Sequence, residues 1–332
     1  MNKEIRGLLF EIIFLIFVMI ISIPIYNISS KNNLLVREIA NGTTKGLDVN
    51  ILQKGDMETT DDIIKVKNLD GMHTLMLEIM PKRCDSDVYI SAKIDVTNLV
   101  EYVNKLKKKK EYENLTYFHT FCIAIGKLIY NRPLLNRFII NKTFYDRKYV
   151  SLGFVAKKEF TDHSEEVFTS IRINEDDNLK TISDKTNGKV TNLRNNKTNN
   201  TDDLVNKIGH MPKLIRYIII KIFKFMDNHD LIPNSITENL IYYQSALLSN
   251  LGSINCNSIY HHLTDFGTNE ALITFGKIED EPKVINGKIE IRKMLDIGIT
   301  IDERIADGFY FAKSLKLLEY IFENPETLED SA

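Results

Sequence analysis

The sequence has few cysteines, and they are poorly placed for chemistry that needs a pair. Cys84, Cys122 and Cys256 are far apart, and no C-x-x-C pair occurs in the 332 residues. The spacing of a zinc ribbon or a thioredoxin-like site is therefore missing. Three cysteines in so long a chain also argue against a disulfide framework. We expect a reducing compartment around the folded domain.

An excess of charge is also missing. The formal net charge is −2, so the composition gives no sign of a nucleic-acid partner held by electrostatics. The densest basic run, residues 107–110, is flanked by glutamates and is typical of a solvated helix end. A chain of this length with 43% hydrophobic residues can nevertheless bury a sizeable core.

The N-terminus carries one long hydrophobic run. Residues 7–28 read GLLFEIIFLIFVMIISIPIYNI, with Glu11 as the only charge. A helix of about 20 apolar residues spans the hydrocarbon core of a bilayer. We predict an uncleaved transmembrane anchor in residues 1–28. A buried core helix is disfavoured because such helices are seldom apolar on every face, and a cleaved signal peptide because no small-residue cleavage site follows.

Two regions follow the predicted anchor. Residues 29–68 carry scattered Asn, Gly, Thr and Asp without a sustained period, which is typical of a linker. Residues 69–330 alternate between strand and helix patterns, which predicts one α/β domain. Asn286 and Gly287 separate two strand patterns, and both residues tolerate the positive φ of a tight hairpin. The asparagine-rich residues 183–202 indicate a mobile loop or a frayed helix end.

One predicted helix, residues 211–226, is strongly apolar but also carries cations. Lys213, Arg216, Lys221 and Lys224 are spaced along it. A basic amphipathic helix can lie in an anionic membrane interface. The same pattern fits a helix packed on the domain, with the aliphatic stems of its cations along apolar surface. We favour the packed helix and keep the membrane-surface helix as the alternative.

Four short motifs occur in an order that resembles one known family. They are the strand leading into Asp95-Val-Thr, RPLLN at 132–136, SNLG at 249–252, and DERIADG at 302–308 with a helix and Asn-Pro-Glu after it. Together they resemble the catalytic domain of the 2-oxo acid dehydrogenase acyltransferases, over roughly residues 75–328. The resemblance implies an α/β, chloramphenicol-acetyltransferase-like fold, in which helices cover a mixed β-sheet in two layers. It also implies a homotrimer with active sites between subunits.

The same resemblance implies a reaction and residue roles. The family transfers acyl groups between a CoA thioester, which is the co-substrate, and a thiol or alcohol acceptor. A general base deprotonates the attacking group, and a hydroxyl donor stabilises the tetrahedral oxyanion. Ser249 matches the oxyanion donor, and Asp307 matches an aspartate whose role is mainly structural. Glu303 stands where the family has its catalytic histidine. No residues are indicated for binding CoA.

The glutamate changes the expected acid–base chemistry. An unperturbed glutamate has a pKa of about 4.3, against about 6.5 for histidine, so a glutamate is a weak base towards a thiol unless burial raises its pKa. The segment YHHLTDFG follows Ser249, and either His261 or His262 could supply the missing imidazole. The alternative is one structural and one solvent-exposed histidine. His119, on an apolar helix face, is more typical of packing.

Two features of full-length family members are missing before residue 75: the lysine of a lipoyl-carrying hairpin and a peripheral-subunit-binding segment. We therefore expect a stand-alone acyltransferase with no covalently attached lipoyl group and no metal. We expect its domain in the cytoplasm, where CoA thioesters are found. A catalytically inactive trimer that binds a ligand or acts as a scaffold is the alternative. A peripheral membrane protein that works through residues 211–226 is a third possibility.

Overall fold

The computed structural model describes most of the predicted domain. All described residues lie in the C-terminal of two units into which the chain divides, residues 63–332. The predicted anchor, residues 1–28, lies outside the described residues. Within the described part of the chain, no helix is both long and apolar enough to cross a membrane. The described residues are 63–67, 69–157, 166–195, 207–229, 231–232, 234–238 and 240–330.

Strands form two sheets. The main sheet has six strands in the order β2-β9-β8-β7-β5-β6, and the small sheet has three in the order β1-β4-β3. In the main sheet β7 is parallel to both β5 and β8, whereas the other pairs are antiparallel. The predicted α/β architecture with a mixed sheet is therefore confirmed. The strands are β1 (Ile63–Lys65), β2 (Asp87–Asp95), β3 (Arg137–Ile140), β4 (Thr143–Arg147), β5 (Val150–Lys157), β6 (Glu166–Ile173), β7 (Ala246–Asn250), β8 (Ala271–Ile285) and β9 (Lys288–Asp302).

Two details correct or confirm the predicted segments. Ile63–Lys65 pairs with β4 in antiparallel register, so the predicted linker, residues 29–68, extends too far and the ordered domain begins earlier. Three residues are too few to show a period, but the ladder supplies their backbone hydrogen bonds. The predicted hairpin is confirmed: β8 and β9 pair from Ile285 and Lys288 onward. Asn286 and Gly287 have φ of 50° and 79°, as a two-residue hairpin turn requires.

Helices cover one face of the main sheet. In α3 every residue from His119 to Ile129 is buried. The ring of Phe121 on α3 stacks on Phe275 of β8 at 4.3 Å, and Phe322 of α7 meets it edge-on at 5.9 Å. The hydrophobic core therefore lies between this face and the helices. The helices are α1 (Gly71–Ile79), α2 (Thr97–Leu106), α3 (Tyr117–Asn131), α4 (Leu179–Asn195), α5 (Lys213–Asn228), α6 (Asn234–Thr237) and α7 (Gly308–Glu323).

The asparagine-rich segment is more ordered than expected. Residues 183–195 continue α4, so of the two alternatives for this segment the mobile loop is wrong for that part and the helix end is the one observed. Residues 196–206 lie outside the described residues. Leu179 and Ile182 are fully buried, and Thr186 is 2% exposed. These buried positions recur at three and four residues, which holds a polar helix against the domain. Tertiary packing outweighs the polar composition here.

Candidate active site

Ser249 lies on the face of the sheet opposite the helices. It is level with Thr274 of β8 in the parallel pair, and Thr274 is level with Gly298 of β9. Gly298 in turn is level with Ser91 of β2. Residues in register project to the same side of a sheet, and Phe275, the neighbour of Thr274, projects towards the helices. This second face is therefore the candidate site surface.

A segment without regular structure, which we call the strap (residues 256–264), crosses this face. It begins against β8, where the Lys277 amide donates to the Cys256 carbonyl at 2.9 Å. The Thr274 hydroxyl then bonds to the Ile259 carbonyl at 2.5 Å. The strap ends at β2, where the Leu263 amide donates to the Asp87 carboxylate at 3.3 Å. It thus runs diagonally over three strands.

The close approach of the strap depends on glycines in the sheet. A Cβ added to Gly298 would lie 2.4 Å from the Ile259 carbonyl oxygen, and one added to Gly276 would lie 2.6 Å from the Ser258 amide nitrogen. Both distances are shorter than atoms can approach, and both neighbours are backbone. Only glycine therefore allows the strap to lie directly on β8 and β9.

Ser249 is partly accessible, and its hydroxyl is available to donate a hydrogen bond. It is half-buried near the end of β7, and within the described residues its hydroxyl has no hydrogen-bond partner. The following turn is tight, because a Cβ at Gly252 would lie 2.5 Å from the Gly276 carbonyl. The SNLG motif therefore ends the strand against β8 and leaves the Ser249 hydroxyl able to donate.

Glu303 follows the last residue of β9, in a turn held by buried charges. The guanidinium of Arg304 donates to both carboxylate oxygens of Asp302, at 2.8 and 2.5 Å, and to the Met80 carbonyl at 2.9 Å. Asp302 and Arg304 are only 2% and 3% exposed. The Glu303 amide donates to the Ser86 carbonyl at 3.0 Å. The residues on either side of Glu303 therefore form one buried ion pair, and this pair fixes the backbone of Glu303.

Asp307 fixes the other end of the same turn. Its carboxylate accepts from the Tyr310 amide at 2.8 Å, and it is the N-cap of α7. A capping carboxylate satisfies an orphan amide and interacts favourably with the positive end of the helix dipole. Asp307 is exposed and makes no bond that would bring it to Ser249. Its observed contacts are structural.

The two predicted histidines have different surroundings. Both are exposed, their rings stack with centroids 4.8 Å apart, and Nδ1 of His261 bonds to the His262 carbonyl at 2.9 Å. His262 precedes the residue that binds Asp87. The pKa of Asp87 is raised by burial, and the nearby His262 opposes this rise. Asp87 Oδ1 is buried without a hydrogen-bond partner.

His262 and Glu303 therefore lie at one end of the face, and Ser249 at the other. Asp87 is level with Asp302, so the strap and the Glu303 turn meet at the start of β2. We call Asp87, His262, Asp302, Glu303 and Arg304 the charged end. Four residues along β2 and three strand spacings separate it from Ser249, which corresponds to roughly 20 Å. The expectation that a histidine lies beside Ser249 in the same loop is thus not met within one chain.

More charge is buried behind the charged end, at residues that no sequence motif marks. Glu270, immediately before β8, is 2% exposed, and its Oε1 has no hydrogen-bond partner. Burial and the nearby Asp302 raise the pKa of Glu270 well above its usual range, against the opposing effects of Arg83 and Arg147. Burial likewise lowers the pKa of Arg147 to about 10. Glu270 borders a mostly apolar cavity of about 50 Å³ under α3 and α7.

His119 has a structural environment. It is 3% exposed, and its ring accepts from the Thr116 amide at the start of α3. Burial lowers its pKa to about 4, so it stays neutral in the fold.

As regards metals, no group of three histidine, cysteine or carboxylate side chains converges among the residues that the structure describes.

The fold is similar to that of solved acyltransferase catalytic domains. A probable dihydrolipoamide acetyltransferase from Listeria monocytogenes is similar over 79% of this chain and 95% of that chain, with TM-score 0.52 and 17% identity. The dihydrolipoamide acetyltransferase of Azotobacter vinelandii matches over 79% and 93%, with TM-score 0.54 and 16% identity. A truncated catalytic core of the 2-oxoacid dehydrogenase complex from Thermoplasma acidophilum matches over 79% and 99%, with TM-score 0.50 and 14% identity.

The sequence match is narrower than the structural one. Residues 235–329 match the family model described as 2-oxoacid dehydrogenases acyltransferase (catalytic domain). No curated protein sequence gives a significant match. The matched stretch runs from the start of α6 to the C-terminal turn and contains Ser249, the strap, Glu303 and Asp307. The resemblance of these motifs to the acyltransferase catalytic domain is thus confirmed for this part of the chain.

Proposed function

We propose that the domain is an acyltransferase that moves an acyl group between a CoA thioester and a thiol or alcohol acceptor. The observation that carries the proposal is the placement of Ser249. Its hydroxyl lies on the strap-covered face with no hydrogen-bond partner in the described chain, so it can donate to an oxyanion that develops on the thioester carbonyl. The family match around it supports the same reaction.

The spacing of the candidate residues gives further support. The Azotobacter structure was determined to investigate a serine, a histidine and an asparagine in the catalytic mechanism of that enzyme. Its histidine and asparagine are four residues apart, as Glu303 and Asp307 are here. On this basis Glu303 takes the position of the base, Asp307 that of the asparagine, and Ser249 that of the serine.

The distance within one chain favours a site shared by two protomers. Ser249 and the charged end are roughly 20 Å apart, too far for both to touch one reacting carbonyl. A homotrimer solves this, because a cyclic interface joins two different surfaces of the same chain. Ser249 of one protomer would then face the charged end of its neighbour. The resemblance to the family implies this assembly.

The chemistry needs one proton acceptor at the charged end. The base takes the proton from the attacking thiol or alcohol, whose sulfur or oxygen adds to the thioester carbonyl carbon. Ser249 donates a hydrogen bond to the oxyanion. The adduct then collapses, the bond from carbon to the CoA sulfur breaks, and the proton passes to that sulfur. Glu303 and His262 both lie at this end, and they are the two candidates for the base.

The test uses the full chain with acetyl-CoA as donor and dihydrolipoamide as acceptor. We expect Ser249→Ala to lower kcat/KM by about 10²-fold or more, the usual scale for losing one oxyanion donor. The matched control is Ser253→Ala, in the adjacent turn, whose hydroxyl donates to the Asn250 carbonyl at 2.7 Å. It should stay within a few-fold of the parent. Glu303→His should keep or raise turnover if the base position is intact.

The outcomes separate the enzyme from the inactive trimer. A folded trimer that transfers no acetyl group, or Ser249→Ala as active as Ser253→Ala, would point to a ligand-binding or scaffolding protein. Comparing His262→Ala with His261→Ala identifies the base, because only His262 lies beside the residue bonded to Asp87. The proposal places the domain in the cytoplasm, with the predicted anchor in the adjoining membrane.

A further inference from the structure

Helix α5 exposes an apolar stripe. Four large apolar side chains on it are 47–71% exposed. They lie at spacings of three, four and seven residues, so they share one side of the helix. Lys221 lies within the same stripe, with its ammonium 5.5 Å from the ring centroid of Tyr217. The stripe consists of Leu214, Tyr217, Ile218 and Phe225, and Ile220, which is 43% exposed, lies beside it. The expectation that the helix packs its apolar residues on the domain is therefore wrong for this stripe.

The opposite side holds the helix to the domain. Asp227, the one buried residue of α5, accepts from the Tyr243 hydroxyl at 2.6 Å and from the Gly267 amide at 3.1 Å. The ring of Phe223 meets Phe266 edge-on at 5.8 Å. These contacts are specific and partly buried, so the rotation of α5 about its axis is set. The stripe faces outward as a consequence of the fold.

The accessible charges on α5 are of one sign. Its sequence contains four cations, Lys213, Arg216, Lys221 and Lys224, and one anion, Asp227. Because Asp227 is buried on the inner side, the accessible charge of the helix is positive. Long cationic side chains can keep their heads in water while their stems lie along an apolar layer. An apolar stripe bordered by cations matches the interface of an anionic bilayer.

We propose that α5 is a second membrane contact, which lies in the interfacial region of an anionic bilayer with its stripe among the acyl chains. The apolar N-terminal run, residues 7–28, makes a bilayer the partner that this chain would meet most often. A domain joined to an anchor meets the same surface at high effective concentration, so a weak contact suffices. The proposal does not depend on the acyltransferase activity.

A second copy of the chain fits the stripe less well. An isologous contact would place the cations of α5 opposite one another, and Asp265, which is 3.8 Å from Lys224, would offset only one of them. Stable interfaces also bury about 800 Å² on each partner, whereas the stripe is one helix side wide. A bilayer needs no complementary shape and supplies negative headgroups. Self-association is therefore the competing outcome for the test.

The experiment uses the absence of tryptophan from the sequence. A single Phe225→Trp reports on the stripe without background in the full chain, reconstituted into vesicles of phosphatidylcholine with phosphatidylserine. We expect its emission to shift to shorter wavelength and to be quenched about twofold or more by brominated lipid. In pure phosphatidylcholine vesicles, or with Lys221→Glu added, the quenching should fall towards the control value.

The matched control is Phe309→Trp, at an aromatic residue 69% exposed on α7 against 57% for Phe225. This reporter is in a chain with the same predicted anchor but lies outside the stripe, so brominated lipid should quench its emission little. Equal quenching of the two reporters would overturn the proposal, because the predicted anchor alone would then explain the quenching. A Phe225→Trp reporter that shifts without quenching, together with cross-links between copies, would assign the stripe to self-association instead.

Discussion

The two ends of the strap-covered face differ in how they are built. At the β7 end, Ser249 is half-buried and its hydroxyl has no partner among the described residues. At the charged end, Asp302 and Arg304 are almost fully buried and are joined by two side-chain hydrogen bonds. The first end offers a free donor on a regular strand, and the second holds an irregular turn by buried charge.

This difference indicates what each end requires. A strand already fixes the backbone of Ser249 through its ladder with β8, so its side chain needs no support. A turn has no ladder, and Glu303 would be poorly placed without the ion pair on either side of it. Buried ion pairs contribute little net stability but become costly when one partner is lost. Substitutions at the charged end should therefore destabilise the fold more than substitutions at Ser249.

The largest expected effect comes from removing one partner of that pair. Arg304→Met leaves Asp302 buried and unpaired, which should lower the free energy of unfolding by about 3–5 kcal/mol. Ser249→Ala should lower it by less than about 1 kcal/mol, since no described bond is lost. Urea unfolding measures both. Equal losses for the two variants would remove the distinction between the ends.

A smaller effect is expected where the strap touches the sheet. Gly298→Ala places a methyl group against the Ile259 carbonyl oxygen, so the strap must move, at a cost of about 1–3 kcal/mol. Gly71→Ala is the control, because a Cβ there has nothing within 4 Å. Faster proteolysis within residues 256–264 would show the displacement. A strap as protected in Gly298→Ala as in the parent would contradict the packing described.

The smallest effect is a change in pH dependence at the charged end. Burial raises the pKa of Asp87 above its usual 3.8, so the folded state keeps this proton to higher pH than the unfolded state. The parent therefore loses stability as the pH rises from about 3.8 through the raised value. Asp87→Asn removes this loss. Its stability relative to the parent should rise over that window, and a flat difference across unfolding curves would show that Asp87 is unperturbed.

Sequence patterns predicted much of the fold because they report local requirements. The alternation in β2, the Asn286-Gly287 turn and the apolar spacing of the last helix each need only neighbouring residues. The strand Ile63–Lys65 escaped prediction because three residues carry no period. The sequence left a loop and a helix end open for residues 183–195, because the anchors of this helix, Leu179 and Ile182, pack on a surface that the local sequence does not reveal.

The candidate site was predictable only where a motif carried it. Ser249, Glu303 and Asp307 stand in motifs that can be found by their spacing. Asp87 begins an ordinary strand and acquires significance only when Leu263, far along the chain, binds its carboxylate. Glu270 likewise looks like any glutamate before a strand, and its burial beside Asp302 becomes visible only in the folded chain.

By itself, the sequence determined the order of strands and helices, the tight hairpin and the acyltransferase motifs, because these depend on residues near one another. Only the tertiary structure decided that His262 lies at the charged end rather than beside Ser249, and that the stripe of α5 faces outward. Both depend on long-range contacts, in which the strap crosses three strands and Asp227 sets the rotation of a helix. Such contacts leave no period in the sequence.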